Sequence, residues 1–248
     1  MKKTLFYFLF YFSFWSLLSF YQPLYAQALD PLLPDFVIND FSGNIKPQQM
    51  NPWVSSNRRG RSVIAWIDKR ELKPAIYAQI FAEDSAPVGP NIRLTGDSVF
   101  DVIKTPAGAM DNEGNFVVTW IGIKDRFHAK DNVYFRRFLS DGSPAGSTIL
   151  VHNLDGDICA FPDIVMNPGG GFVITWEGPT YYCGLDVLAQ RFSKDGIPLG
   201  NNFRVADDTT KEVVQEIPSI SGDNQGNFVI SWIGTNKSTF GTYAQLFS

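Results

Sequence analysis

The sequence predicts an all-β fold made of four copies of one four-stranded antiparallel meander, on three observations. A strand ending in tryptophan recurs four times, as SVIAW (62–66), FVVTW (116–120), FVITW (172–176) and FVISW (228–232). The tryptophans Trp66, Trp120, Trp176 and Trp232 stand 54, 56 and 56 residues apart, and such regular self-similarity marks a repeat architecture. No long segment carries an apolar period of 3.6 residues, whereas short runs rich in Val, Ile and aromatics abound.

Within each copy the elements follow in a fixed order. Fourteen residues before the Trp stands Pro52, Pro106, Pro162 or Pro218. Proline lacks an N–H and so suits the first residue of a strand. Nine before is Asn57, Asp111, Asn167 or Asp223, and six before is Gly60, Gly114, Gly170 or Gly226. Asx-x-x-Gly predicts a tight turn, with the Asx side chain bonding local backbone and the glycine at positive φ. In the second strand Phe116, Val118 and Trp120 point one way, Val117 and Thr119 the other. Both faces are largely apolar, so each sheet is covered on both sides. Third strands follow at 76–81, 133–138, 187–192 and 242–247, each closing on Phe. Three copies then place Pro and Gly ahead of a short fourth strand, such as FRVAD (203–207).

The fourth copy stops at Ser248, directly after Phe247, without its last strand. PDFVIND (34–40) resembles FRVADD and precedes the first copy. The expected architecture is therefore a four-bladed β-propeller closed by the N-terminal strand, which hides two otherwise open edges. Two chains closing one eight-bladed ring, or a sandwich, are the alternatives. The GNFVVTW, YAQRF-like and DGxPxG elements resemble the tandem repeats of large secreted bacterial proteins, adhesin-like and calcium-associated ones among them. That resemblance implies a propeller-like scaffold outside the cytoplasm and carries over no catalytic residue.

Residues 1–28 read as a secretory signal peptide. Lys2 and Lys3 precede an uncharged apolar run at 4–20, and Ala26-Gln27-Ala28 offers small residues for cleavage. A retained anchor is the competing reading. Residues 29–248 form one β-repeat domain, secreted, periplasmic or on the cell surface. The full chain carries a formal charge of −4, made more negative by loss of the two signal lysines. Without a basic stripe, nucleic-acid binding is disfavoured.

The turns joining strands one to two and three to four agree in length, whereas the 2–3 loops and 4–1 connections vary. In a meander these variable loops share one end of the sheets, the usual place for a site on a rigid scaffold. The candidate ligand-binding residues there are Phe127, His128, Tyr181, Tyr182, Asp125 and Glu177, in a groove between the second and third units. The reading is a non-catalytic module that recognises a protein or glycan. One alternative is a glycosidase-like hydrolase using acids such as Asp68 and Glu177, since glycoside hydrolysis uses two carboxylates. Another is a structural, self-associating surface protein. No nucleophile elbow, metal motif or phosphate loop is present. No cofactor is expected; calcium at Asp155, Asp157 and Asp163, or at DNEGN and DNQGN, is weighed against turn chemistry, which is favoured. His128 and His152 lack metal-type partners. Cys159 and Cys183 fall in loops at the same end of one unit and are expected to form a disulfide in an exported protein.

Overall fold

The computed structural model describes residues 34–40, 47–96, 100–128, 130–152, 159–179, 184–206, 214–236 and 239–248. The expected signal peptide lies outside them. The chain divides into two compact units, Met1–Val37 and Ile38–Ser248. In the first, residues 34–37 are exposed and without regular secondary structure.

The second unit is all-β, with four antiparallel sheets in chain order. The first holds β1 (Gln49–Ser56), β2 (Ser62–Asp68), β3 (Ala75–Phe81) and β4 (Pro87–Arg93). The second holds β5 (Val102–Met110), β6 (Phe116–Ile123), β7 (Asn132–Phe138) and β8 (Ile149–Leu150). The third holds β9 (Ala160–Met166), β10 (Phe172–Pro179), β11 (Leu185–Phe192) and β12 (Phe203–Arg204). The fourth holds β13 (Gln215–Gly222), β14 (Phe228–Asn236) and β15 (Thr239–Phe247). Every sheet is a meander, so the repeat spacing corresponds to one sheet.

The Asx turns form as their chemistry requires. Asp111 Oδ1 accepts from the backbone N–H of Glu113 and of Asn115, both at 2.9 Å, and Asn57, Asn167 and Asp223 make the equivalent pair of bonds. The closing glycines lie at φ of 86–94°. Asp111 of DNEGN and Asp223 of DNQGN thus serve their turns. The prolines sit differently from expectation. Each lies inside the first strand, not at its start, where the register shifts between Met50 and Trp53, Lys104 and Ala107, and at matching points in β9 and β13. The residue before each proline takes a positive φ: Asn51, Thr105, Phe161 and Ile217, between 44° and 54°. A bulge tolerates the missing N–H as well as a strand start does.

The alternating second strands glue neighbouring sheets together. Phe116, Val118 and Trp120 join Val63, Ala65 and Ile67 in one core between the first and second sheets. Val117 and Ile121 turn the other way, onto Phe172, Ile174 and Trp176. Val173 and Val187 repeat this against Phe228, Ile230 and Trp232. Trp120 and Trp176 have no exposed surface.

Residues 34–40, expected as a strand on the fourth sheet, have no strand assignment, and β15 has no outer neighbour among the described residues. Within the second unit, Ile38 packs on Trp66, Ala75 and Tyr77 of the first sheet. Its carbonyl accepts from Asn91 Nδ2 at 3.0 Å, and Asp40 Oδ2 accepts from the Asn91 N–H at 3.1 Å.

Candidate binding face

Among the described residues, three of the 2–3 connections carry an exposed apolar side chain. Leu72 is fully exposed in the first sheet's loop, Phe127 is 87% exposed in the second, and Phe240 is 72% exposed in the fourth hairpin. Tyr181 and Tyr182, their counterparts in the third loop, lie outside the described residues. Phe127 stands on a single 3-10 turn, Arg126–His128, because Asp125 Oδ1 accepts its N–H at 2.9 Å. The side chain of His128 lies outside the description.

This turn is tied toward the first sheet. Asp101, just before β5, accepts the Arg126 N–H at 3.0 Å and pairs with Lys73 Nζ at 2.7 Å. Hydrogen bonds from the Lys73 ammonium and then from the Arg126 amide hold its carboxyl below the usual aspartate range. Lys104 of β5 and Asp131, just before β7, pair at 2.8 Å within the second sheet.

Glu177 belongs elsewhere. Its carboxylate is buried, and Oε2 accepts the N–H of Ile217, the bulge residue of β13, at 3.2 Å. Burial raises its pKa, the Ile217 amide opposes this, and the charge of Glu216 adds to the rise. Phe127 and Asp125 thus share one turn braced to the first sheet, while Glu177 bonds the fourth. The other acid proposed for hydrolysis, Asp68, is buried and fully committed. Its Oδ2 accepts from Trp66 Nε1, Gln49 Nε2 and Arg70 at 2.8–3.1 Å, and its Oδ1 accepts the Arg70 N–H at 2.8 Å. Burial alone would raise its pKa, but these hydrogen bonds, led by Arg70, hold it below the ordinary value.

A third buried carboxylate is Asp186, which the sequence offers only as one of the acids of the third 2–3 loop. Asp186 is 1% exposed and forms an ion pair with Arg204 of β12. Its pKa is raised by burial despite that pairing. Nothing in the repeat flags it, because the pairing joins β11 to a two-residue strand. Close by, Cys159 Sγ lies 3.5 Å from His152 Nε2, and the imidazole stacks on Trp176 at 5.9 Å. Cys159 is a free thiol here, and burial, then the charges of Asp131 and Glu177, push it up to about 12. A thiol so held is no nucleophile. Cys183 lies outside the described residues, as do Asp155 and Asp157. Asp163 accepts from Ser219 Oγ and the Ile220 N–H, stapling β9 to β13. Among the described residues no three His, Cys, Asp or Glu are grouped to hold a metal ion.

The opposite, turn-bearing end holds two clefts between sheets, which variable-loop reasoning could not find. One of about 500 Å³ lies between the second and third sheets, beside Glu113, Arg137 and Lys194. One of about 120 Å³ lies between the third and fourth, beside Arg191 and Asp223. They occupy equivalent places in successive repeats. Arg137 spans the larger one, donating to the carbonyls of Lys194 and Ala145, each at 2.7 Å.

No protein-family model matches the chain, and no curated protein sequence matches it. Among solved structures, the fold is similar to a protein of unknown function from Dyadobacter fermentans, with TM-score 0.54 and 10% identity over 77% of this chain and 64% of that one. It is similar to an endo-arabinase from Bacteroides thetaiotaomicron, with TM-score 0.50 and 14% identity over 84% and 78%. The α-L-arabinanase of Penicillium chrysogenum gives TM-score 0.53 and 13% identity over 80% and 62%. The chain spans 64% and 62% of the length of the first and third of these. At such identities the likeness is one of fold: a propeller-like arrangement of four small antiparallel sheets.

Proposed function

We propose that this chain is an exported, non-catalytic binding module that recognises a glycan through the loop end of its sheets. The observation that carries this reading is the aromatic ring of Phe240, 72% exposed near the start of β15 in the fourth 2–3 hairpin. Large apolar groups held out on a rigid β scaffold suit contact with sugar faces or protein surfaces. Similarity in fold to arabinanases favours a glycan over a protein. The recognition groups are Tyr181 and Tyr182 of the third loop with Phe240 of the fourth, and the proposed Cys159–Cys183 bridge stiffens the third loop. A strand at 34–40 completing the fourth sheet is part of the same proposal.

Glucan, arabinan and glycosaminoglycan arrays probed with the exported chain test this reading. Tyr181→Ala with Tyr182→Ala should weaken capture at least tenfold, since a lost aromatic anchor costs about 2 kcal/mol or more. Equal capture by the double variant would remove these tyrosines from the site.

One observation favours a second reading, a glycosidase-like hydrolase. Glu177 is a buried carboxyl with a raised pKa, as a general acid requires. Release of reducing sugar from arabinan by the chain, lost in Glu177→Gln, would establish hydrolysis instead.

A further inference from the structure

The tips of the first two 2–3 loops are held on a shared acid. Leu72 and Phe127 are themselves almost wholly exposed, yet the residue after the first and the residue before the second meet on one carboxylate. Lys73 Nζ lies 2.7 Å from Asp101 Oδ1, and the Arg126 N–H donates to Asp101 Oδ2 at 3.0 Å. Asp101 itself points inward, with its side chain 15% exposed, so the clamp is built beneath the tips. Five exposed cations flank them in sequence, Lys69 and Lys73 on one loop and Lys124, Arg126 and Lys130 on the other, of which Lys73 and Arg126 share the Asp101 carboxylate. Glu71 and Asp125 are the exposed acids among the described residues of the same two segments, so that with Asp101 five cations face three acids. This is a local excess of positive charge in a chain whose net charge is −4. Lys104 and Asp131 beside them neutralise each other at 2.8 Å.

We propose that the clamped Leu72 and Phe127 tips, with their flanking lysines and Arg126, dock this protein on an anionic lipid surface. The proposal stands independently of the glycan reading, which places its aromatic groups on the third and fourth loops. Two apolar side chains at the summit of rigid loops enter the boundary between headgroups and acyl chains, where their burial needs no preformed pocket. The lysines below them lie at headgroup level and are attracted by the negative surface potential, within a Debye length of about 8–10 Å. Neither part suffices alone: a few cations bind weakly, and two apolar groups give no preference for charge. A glycan would leave Leu72 unexplained, because an aliphatic tip offers no flat face for a sugar ring.

Flotation of the exported chain with vesicles of phosphatidylglycerol and phosphatidylcholine, against phosphatidylcholine alone, tests the proposal. Binding is expected only to the mixed vesicles and should fall steeply at about 0.5 M salt. Leu72→Ser with Phe127→Ser should reduce it at least tenfold without changing the melting temperature, since both side chains are exposed. Because both variants and parent come from one preparation, any contribution of the N-terminal segment cancels. Lys69→Glu with Lys124→Glu should lower binding comparably while Tyr181→Ala with Tyr182→Ala leaves it unchanged. No binding to mixed vesicles, or binding indifferent to both tip and charge variants, would overturn the proposal. So would capture by soluble polygalacturonate with none by vesicles, which would assign the cations to an acidic glycan. Loss of glycan capture alone, with vesicle binding intact, would count against the glycan reading only.

Discussion

The indole N–H of Trp66 donates to Asp68 Oδ2 at 3.0 Å, two residues along the same face of β2. The three other repeats have glycine at the matching position, Gly122, Gly178 and Gly234. Their buried indole nitrogens, on Trp120, Trp176 and Trp232, have no hydrogen-bond partner among the described residues. The departure of Asp68 from the repeat is therefore accounted for within the first sheet: it satisfies a buried donor and, through Arg70 and Asp40, ties the chain ahead of β1 to that sheet.

Asp68→Ala should accordingly destabilise the fold by about 1–3 kcal/mol, the usual cost of leaving a buried donor such as the Trp66 indole N–H unsatisfied, while Arg70 keeps its second carboxylate, Asp40. Urea denaturation at pH 7 checks this. The sign with pH follows from the lowered carboxyl. Its contribution is present above the ordinary aspartate range and is lost as pH falls through the folded-state value. The gap between parent and variant should therefore narrow as pH falls below the ordinary aspartate range. A variant as stable as the parent at pH 7 would show that Asp68 is kept for chemistry and not for structure.

Glu177 should behave in the opposite sense. Its raised pKa means that the folded state holds the proton more tightly than the unfolded chain, so its ionisation costs stability as pH rises above the ordinary glutamate range. Glu177→Gln retains an acceptor for the Ile217 N–H and removes the buried charge. At about pH 7–8 the variant should equal or exceed the parent in stability, with the advantage disappearing near about pH 4. A loss of more than about 1 kcal/mol at pH 7 would show that the ionised form is favoured in the fold.

Most of the sheet framework was legible because its signals are periodic. The Trp register located β2, β6, β10 and β14, and the Asx and Gly positions located the turns before them. The bulges were not legible, since Asn51, Thr105, Phe161 and Ile217 share no side-chain type. Their conformation is imposed by strand register, and only the proline that follows is constant. The candidate site was legible only in part. Glu177 stood out as a departure from the repeat, but a sequence does not say that its carboxylate turns to Ile217 in the next sheet. The clamp at Asp101 joins residues 28 and 25 positions away, without any periodic trace.

Those bulges yield a stability test. Ile217 is β-branched and sits at φ 54°, a conformation that costs such a residue of order 1 kcal/mol or more. Its side chain is 47% exposed, so little packing is lost on replacement. The first sheet already places an asparagine, Asn51, at the same point. Ile217→Asn should raise stability by about 1 kcal/mol, read as a higher urea midpoint with an unchanged slope. A lower midpoint would mean that the Ile217 side chain contributes contacts worth more than the strain.

The cysteines give a prediction by mass. Cys159 directly precedes β9 and Cys183 falls in sequence between β10 and β11, and a bridge would close a loop of about 24 residues, stabilising by roughly 3 kcal/mol in the chain-entropy model. After native export, intact mass should be about 2 Da below the fully reduced chain, with no alkylation until reductant is added. Recovery of two alkylatable thiols from the unfolded, unreduced protein would refute the bridge. In that case the buried Cys159, its pKa pushed up to about 12, should resist alkylation in the folded protein at about pH 8.

Closure of the fourth sheet can be tested at single residue pairs. In the third sheet Phe203 pairs with Ala189, and the Val205 N–H bonds the Val187 carbonyl before Val205 packs into the core of the fourth. Leu94 and Val151 bond back in the same way and are likewise buried. Ile38 packs on Trp66, Ala75 and Tyr77 of the first sheet. By the same register Phe36 should face Ala244 of β15, whose nine residues, Thr239–Phe247, carry no charge to guard an open edge. Phe36→Cys with Ala244→Cys should therefore form a disulfide on mild oxidation, seen as a faster-migrating monomer on non-reducing gels. Phe36→Cys with Leu246→Cys, two residues out of register, should cross-link poorly and serve as the control. Dimers linked through the two introduced thiols, in place of the internal bridge, would mean that the strand is donated between two chains. Absence of both products would leave β15 as a true edge and end the closed-ring reading.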